Sequence, residues 1–321
     1  MGSSCESNNN RLPVIEFQKN DLIPIGSHTW HQVKDQVHLA LENYGCFEAS
    51  FDAIPSELKS ATLSGIEELF SLPLETKLKN TSKKPYHGYV GQYPMVPLYE
   101  SMGFDDANIL ERVETIAHQF WPQGNPFFCK NIQSLSENLS ELDKIIRRMV
   151  LESLGLSKYI DEHMESTNYL LRVMKYTAPQ TNHSQLGLSA HTDKNIVTIL
   201  CGNQVKGLEV ETKDGEWIEV NPEPGHFVVM IGDSLVAWTN GRLHSPNHRV
   251  MMTGNDARYS AGLFSVPKAG YVIKAPEELV DEEHPLLFKP FDHVEFLKFY
   301  YTEAGQRAQY ALKTYCGTDV V

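Results

Sequence analysis

No stretch of this 321-residue chain strings together the roughly 18 apolar residues that a membrane-crossing helix needs, so a helical membrane span is not expected. The opening MGSSCESNNN has no apolar segment either, and a secretory signal peptide is not expected there. Gly2 invites lipid attachment, but Glu6 stands where that pattern wants Ser or Thr. Cysteine is scarce: Cys5, Cys46, Cys129, Cys201 and Cys316 are scattered, with no CxxC pair, which suits reduced thiols in an intracellular protein better than a disulfide framework. Basic charge is short as well. The 28 Lys and Arg residues against 41 Asp and Glu give a formal charge of −13, which argues against nucleic acid as a partner. Internal repeats are absent, and low complexity is confined to the asparagines of the leader. The expectation is a soluble, cytoplasmic monomer that meets neither membrane nor nucleic acid and acts on a small molecule.

What is present has two textures. Trp30, Val33, Val37, Leu39, Ala40 and Leu41 recur mostly at helical intervals, as do Leu58, Leu63, Ile66, Leu69 and Phe70. The longest such pattern runs from Leu135 to Leu154. Leu12 to Phe17 and Cys46 to Phe51 read as strands. From Tyr169 onward the pattern becomes short strands with turn signals between them: Leu170 to Tyr176, His191 to Leu200, Leu208 to Glu211, Trp217 to Val220, Phe227 to Ile231, Leu235 to Trp238, His248 to Met252 and Arg258 to Phe264. Lys213-Asp214-Gly215 marks a hairpin. Strands every 8–12 residues suggest a sandwich or barrel, and a jelly roll would gather distant strands around a cavity. Helical character returns from Pro290 to Tyr310. Between Pro85 and Gly103 neither period holds, and the segment is rich in Tyr, Gly, Pro and Met. It reads equally as a pocket wall or as a loop pinned by its tyrosines.

The chemistry-bearing residues fall between Ser189 and Ser265. Side chains two apart on a strand share a face, so His191 and Asp193 can ligate one ion. His248 opens a strand 55 residues beyond Asp193 and can add a second imidazole. His244 competes for that place, but it sits beside Ser245-Pro246 in a turn. Two imidazoles and a carboxylate on one octahedral face leave three positions open, as in non-haem iron(II) oxygenases that take a co-substrate and O₂. The same three side chains still admit a hydrolytic zinc site. Arg258 and Ser260 follow His248 by ten and twelve residues and share a face, with Phe264 on it too. A guanidinium plus a hydroxyl can clamp a carboxylate. A dicarboxylate such as 2-oxoglutarate would then chelate the metal by its keto acid and meet Arg258 with its far end. His183 and His226 read as ordinary histidines, and Asp233, behind a glycine at a turn, as structural.

His191-Thr192-Asp193, Asn240-Gly241-Arg242 leading to His248-Arg249-Val250, Arg258-Tyr259-Ser260, Pro224-Gly225 and Ile231-Gly232-Asp233 together resemble the plant-type iron(II)- and 2-oxoglutarate-dependent dioxygenases. The resemblance spans nearly the whole chain. Lys194-Asn195 and the run Arg172 to Tyr176 bring it nearest to the branch with glucosinolate-modifying and auxin-oxidising enzymes. It implies a double-stranded β-helix core flanked by helices, divided into a leader at 1–10, a helix-and-strand region at 11–125 and a jelly-roll catalytic domain with its carboxy-terminal helix at 126–321, packed as one unit. It also implies Fe(II), 2-oxoglutarate and O₂, with ascorbate in support, and hydroxylation of a small, largely apolar plant specialised metabolite or hormone with release of succinate and CO₂. Tyr176 matches a tyrosine that helps hold the 2-oxoglutarate carboxylate. Many relatives carry Asn-Tyr-Tyr-Pro where this chain has Met174-Lys175-Tyr176-Thr177, so the asparagine's part has no counterpart here. Phe264 corresponds to an aromatic against the organic substrate, and Tyr86, Tyr89, Tyr99 and Met95 are further candidates for its pocket. Two other readings stand beside this one: an iron oxidase of the same fold that needs no 2-oxoglutarate, and a non-enzymatic barrel that binds metal or ligand.

Overall fold

The computed structural model describes residues 11–18, 24–85, 87–180 and 183–320. The leader with Cys5 therefore lies outside the described residues, and so does Tyr86. Strand β1 (Val14–Phe17) is followed by α1 (His28–Asn43), β2 (Cys46–Phe51), α2 (Ser56–Ser71) and the single turn α3 (Leu74–Lys77). Then come β3 (Tyr99–Asp105), α4 (Leu110–Ala117), α5 (Pro126–Ser153) and α6 (Ile160–Glu165). The second half is mostly strand: β4 (Thr167–Tyr176), β5 (Gln185–His191), β6 (Val197–Gly202), β7 (Leu208–Glu211), β8 (Trp217–Glu219) and β9 (His226–Ile231). After α7 (Asp233–Trp238) it continues with β10 (His248–Met252), β11 (Arg258–Pro267), β12 (Val272–Ile273) and β13 (Phe291–Asp292), and it ends in α8 (His293–Tyr300), α9 (Glu303–Arg307) and α10 (Ala311–Cys316).

Two sheets enclose the core of the second half. The larger runs β1-β2-β9-β6-β11-β4-β3, antiparallel except for the parallel β1–β2 edge, and the smaller runs β5-β10-β7-β8. The large sheet thus takes β1, β2 and β3 from the first 125 residues and its centre from the rest. The pair does not close into a continuous barrel. Its outer layer is α5. Asn125 caps this helix by accepting from the Phe128 amide at 3.0 Å, Pro126 supplies a first-turn residue that has no N–H to satisfy, and Leu135, Leu139, Leu142, Ile146 and Val150 form a buried stripe. That stripe packs against α1, α2 and the back of β6 and β11. Each fully buried Leu or Ile contributes about 1.5–3 kcal/mol, which holds the back of the sheet rigid while its front faces the cavity.

Four expectations change in detail. Leu235 to Trp238 is helical, because Gly232 opens α7 with Asp233 in its first turn, and a short run buried on all sides carries no usable period. The strand expected from His191 to Leu200 breaks at residues 192–196 into β5 and β6. The segment from Pro85 to Gly103 is not loop throughout, since its end forms β3 against β4. The carboxy-terminal helix is three short helices.

Candidate active site

The two sheets and α8 surround a cavity of about 670 Å³, a size that suits a small organic molecule. His191 ends β5, and His248 opens β10 directly across the ladder from it, with ring centroids 4.3 Å apart. Asp193 does not continue that strand. It lies just past its end, in the segment that breaks β5 from β6, and its position is fixed from behind: its carbonyl accepts from the Asp233 amide at 2.8 Å. Gly232 permits this seat, because a side chain there would run into the Asn195 carbonyl at 2.3 Å. The structure thus brings these two side chains together although Asp193 lies beyond the strand that the same-face argument assumed.

The donor atoms of His191, Asp193 and His248 all lie within 4.8 Å of one another. The Nε2 atoms of His191 and His248 stand 3.7 and 3.9 Å from Asp193 Oδ1. Each Nδ1 is turned the other way, toward the Ser189 carbonyl at 2.8 Å and the Pro246 carbonyl at 3.3 Å. With Nδ1–H donated to a carbonyl, the Nε2 lone pair is free for a metal. The far oxygen of Asp193 accepts from the Thr198 hydroxyl at 2.6 Å, which leaves Oδ1 facing the imidazoles. Burial, then the neighbouring His248, lowers the His191 imidazole to about 4, although a quarter of its side chain still meets the cavity. Burial pushes the Asp193 carboxyl up, but His248, His191 and the Thr198 hydroxyl outweigh it and hold it below the ordinary carboxylate value. Two imidazoles and one carboxylate fit a divalent first-row ion with open positions. His244 is not part of this cluster.

On the facing wall Arg258 of β11 is paired in register with Tyr176 of β4, and Ser260 with Met174. All four line the cavity. The buried Arg258 guanidinium donates from Nη1 to Ser260 Oγ at 3.1 Å and lies 5.4 Å from the centre of the Tyr176 ring. Burial lowers its pKa, yet a guanidinium stays charged at neutral pH. Burial raises the Tyr176 phenol, which therefore remains a donor. One cation and two hydroxyls at one end of a cavity have the chemistry to receive a carboxylate.

Of the residues expected against the substrate, Tyr99 and Phe264 line the cavity, and Met95 does so at its rim with 84% of its surface exposed. Tyr89 points elsewhere. Its hydroxyl donates to Glu100 at 2.9 Å, beside the Lys77–Glu100 ion pair, so it pins the loop to β3. His226 pairs with Glu48 at 2.6 Å, away from the site. Three contributors go beyond the spacing argument. Thr198 is a lone hydroxyl in an apolar strand, a signal visible in Val197-Thr198-Ile199. Lys194 donates from Nζ to the carbonyl and hydroxyl of Thr192, both at 2.7 Å, and pairs with Asp233 at 2.8 Å. Its Nζ also stands 4.5 Å from the centre of the Tyr300 ring, so the ligand-bearing segment is tied to α8. Asp233 is thus structural in a specific way: it holds the cation that holds this segment. Arg172 completes the set, two strand positions from Met174 and on the same wall.

Comparison with known proteins agrees with this geometry. The model for the 2OG-Fe(II) oxygenase superfamily matches residues 164–267, and that for the non-haem dioxygenase in morphine synthesis N-terminal region matches residues 12–121. The probable 2-oxoglutarate-dependent dioxygenase AOP1.2 of Arabidopsis thaliana is 53% identical over 311 residues, covering 95% of each chain. This chain belongs to the 2OG-Fe(II) oxygenase superfamily. The Arabidopsis 2-oxoglutarate-dependent dioxygenase AOP2 is 35% identical over 96% of this chain and 98% of its own. The solved rice dioxygenase for auxin oxidation matches with a TM-score of 0.81 at 29% identity, covering 96% of this chain and 100% of that one. A 2-oxoglutarate complex of dioxygenase for auxin oxidation 1 from Arabidopsis matches at 0.76 with 26% identity, over 85% of this chain and 99% of that one. As a member of the superfamily, the chain is an oxidoreductase of the dioxygenase class that uses Fe(II), 2-oxoglutarate and O₂.

Proposed function

We propose that His191, Asp193 and His248 hold the iron, that Arg258, Ser260 and Tyr176 hold the far carboxylate of 2-oxoglutarate, and that the product is a hydroxylated plant specialised metabolite or hormone. The observation that carries this reading is that two separate constellations, one metal-binding and one anion-binding, open onto the same cavity from facing walls. When bound, the iron and co-substrate supply the oxidising power for attack on a C–H bond, with succinate and CO₂ released. The chain's own contribution is positional. The Nδ1 contacts and Thr198 aim the ligands, Arg258 neutralises the co-substrate, and the apolar wall around Phe264 and Leu170 excludes water from the reacting centre. The iron oxidase that needs no 2-oxoglutarate is disfavoured by the same wall, because it leaves a buried arginine and two hydroxyls with no anion to meet.

Anaerobic titration of Fe(II) with 2-oxoglutarate tests the assignment. A visible charge-transfer band is expected, and its absence counts against both constellations. Arg258→Ala should raise the 2-oxoglutarate concentration needed for succinate release at least tenfold, since one charge-assisted bond in a buried site contributes about 1.5–3 kcal/mol. An unchanged requirement would remove Arg258 from the clamp.

A further inference from the structure

The helical side of the cavity is made by α8. His293, Leu297 and Tyr300 stand four and seven residues apart on this helix, share one face of it and line the cavity. His293 is buried, and its Nδ1 lies 3.1 Å from Ser234 Oγ in α7. That hydroxyl has a single hydrogen, which it donates to the Lys194 carbonyl at 2.5 Å. A carbonyl oxygen can only accept, so toward His293 the same hydroxyl can only accept as well, and Nδ1 must carry the ring proton. Burial pushes the His293 pKa down to about 4, so the ring is neutral at neutral pH. A neutral imidazole with its proton on Nδ1 has a bare lone pair on Nε2. Ser234 thus decides which nitrogen is the acceptor.

Among the described residues no donor reaches that lone pair, since the Ser234 contact is the one hydrogen bond of the ring. Lys194 commits its ammonium to Thr192 and Asp233. His87 also lines the cavity, but it is bonded to Asp105 at 2.5 Å and makes no hydrogen bond with His293. Nor is the nitrogen walled off: Nε2 of His163 is sealed in the interior without a partner, whereas Nε2 of His293 is not sealed and its ring borders the cavity. We propose that His293 is the specificity-determining acceptor for the organic substrate, its Nε2 receiving a hydrogen bond from an N–H or O–H whose apolar carrier lies on Leu297 and the Phe264 wall. The substrate is then an apolar molecule with a donor, such as an indole, a phenol or an alcohol. An analogue without the donor leaves a desolvated lone pair unmet, which is the strongest form of rejection a small polar contact can give. This deepens the proposed function and rests on it.

Anaerobic calorimetry on the protein loaded with Fe(II) and 2-oxoglutarate tests the inference without turnover. The donor probes are indole-3-acetate, 4-hydroxyphenylacetate and 2-naphthol. Their twins are 1-benzothiophene-3-acetate, 4-fluorophenylacetate and 2-fluoronaphthalene, which lose the donor without gaining bulk. At least one donor should bind, and at least about tenfold tighter than its twin. His293→Leu should abolish that preference by weakening the donor and sparing the twin, whereas His293→Gln, which keeps an acceptor oxygen, should retain part of it. Binding of indole-3-acetate alone would make the donor an N–H, and binding of the phenols alone an O–H. Equal binding of donor and twin, binding of none of the three donors, or a preference that His293→Leu leaves intact overturns the proposal. The donor–twin comparison needs no variant, so it stands even where His293→Leu does not fold. A missing charge-transfer band defeats the proposed function itself, whereas a normal band with equal binding of donor and twin defeats only the acceptor.

Discussion

Thr198→Val is the sharpest perturbation of the metal site, because it touches no ligand. The Thr198 hydroxyl donates to Asp193 Oδ2 at 2.6 Å from a fully buried position, and the two side chains differ only by hydroxyl against methyl. A hydrogen bond to an ionised, buried acceptor contributes about 1.5–3 kcal/mol, or roughly ten- to hundredfold in an equilibrium constant. Loss of an outer partner of a metal ligand costs the same range in affinity, roughly 10–100-fold. Both routes predict an Fe(II) dissociation constant at least tenfold higher, read from anaerobic titration at saturating 2-oxoglutarate. The direction with pH is also fixed. The Thr198 bond helps to hold the Asp193 carboxyl low, so its removal raises that pKa and lets protons compete with iron at a higher pH than in the unaltered protein. Thr198→Ser keeps the donor and should bind iron nearly as well as the parent. If Thr198→Val folds and its Fe(II) affinity stays within about threefold of the parent, below the roughly tenfold loss expected for an outer partner of a metal ligand, the hydroxyl does not aim the carboxylate.

The remaining expectations follow from other contacts around the cavity. Lys194→Met leaves the Asp233 carboxylate buried without its cation and should destabilise the fold by about 3–5 kcal/mol in urea unfolding, with Lys194→Met/Asp233→Asn recovering much of the loss. A double variant no better than the single would mean that the pair is not coupled. Burial holds His293 down at about 4, so as pH falls the unfolded chain takes up its proton first. The associated stability, roughly 3 kcal/mol, is full above about pH 6.5 and is lost toward pH 4, and His163, pushed down by burial and then Arg147, acts in the same direction. His293→Gln should therefore show a shallower fall in urea midpoint between pH 7.5 and 5, and an equally steep one would refute the assignment. Phe264→Ala should raise KM for the organic substrate while leaving that for 2-oxoglutarate unchanged; parallel changes in both would show that the two do not occupy separate parts of the wall.

Much of this site was legible because strands convert spacing into direction. Arg258, Ser260 and Phe264 share parity on one strand, and the structure keeps them on one wall, paired in register with Tyr176, Met174 and Leu170. His191 with Asp193 was legible for a weaker reason. The parity argument assumed a strand running through Asp193, but β5 ends two residues earlier at His191, and the backbone of Asp233 supplies the orientation instead. No local rule reveals a carbonyl held by an amide forty residues away. Leu235 to Trp238 shows the same limit for secondary structure: four apolar residues buried on every side satisfy a strand or a helix equally, and only the packing of α7 decides. Between Pro85 and Gly103 the two readings divide by residue, since Tyr89 pins the loop to Glu100 while Tyr99 reaches the cavity as part of β3.

Lys194 is a buried cation at the cavity wall, and its partners show what its charge does. Lys194 spends its three donors on Thr192 and on a buried carboxylate, so its charge is consumed in holding the ligand-bearing segment, and Tyr300 covers what remains.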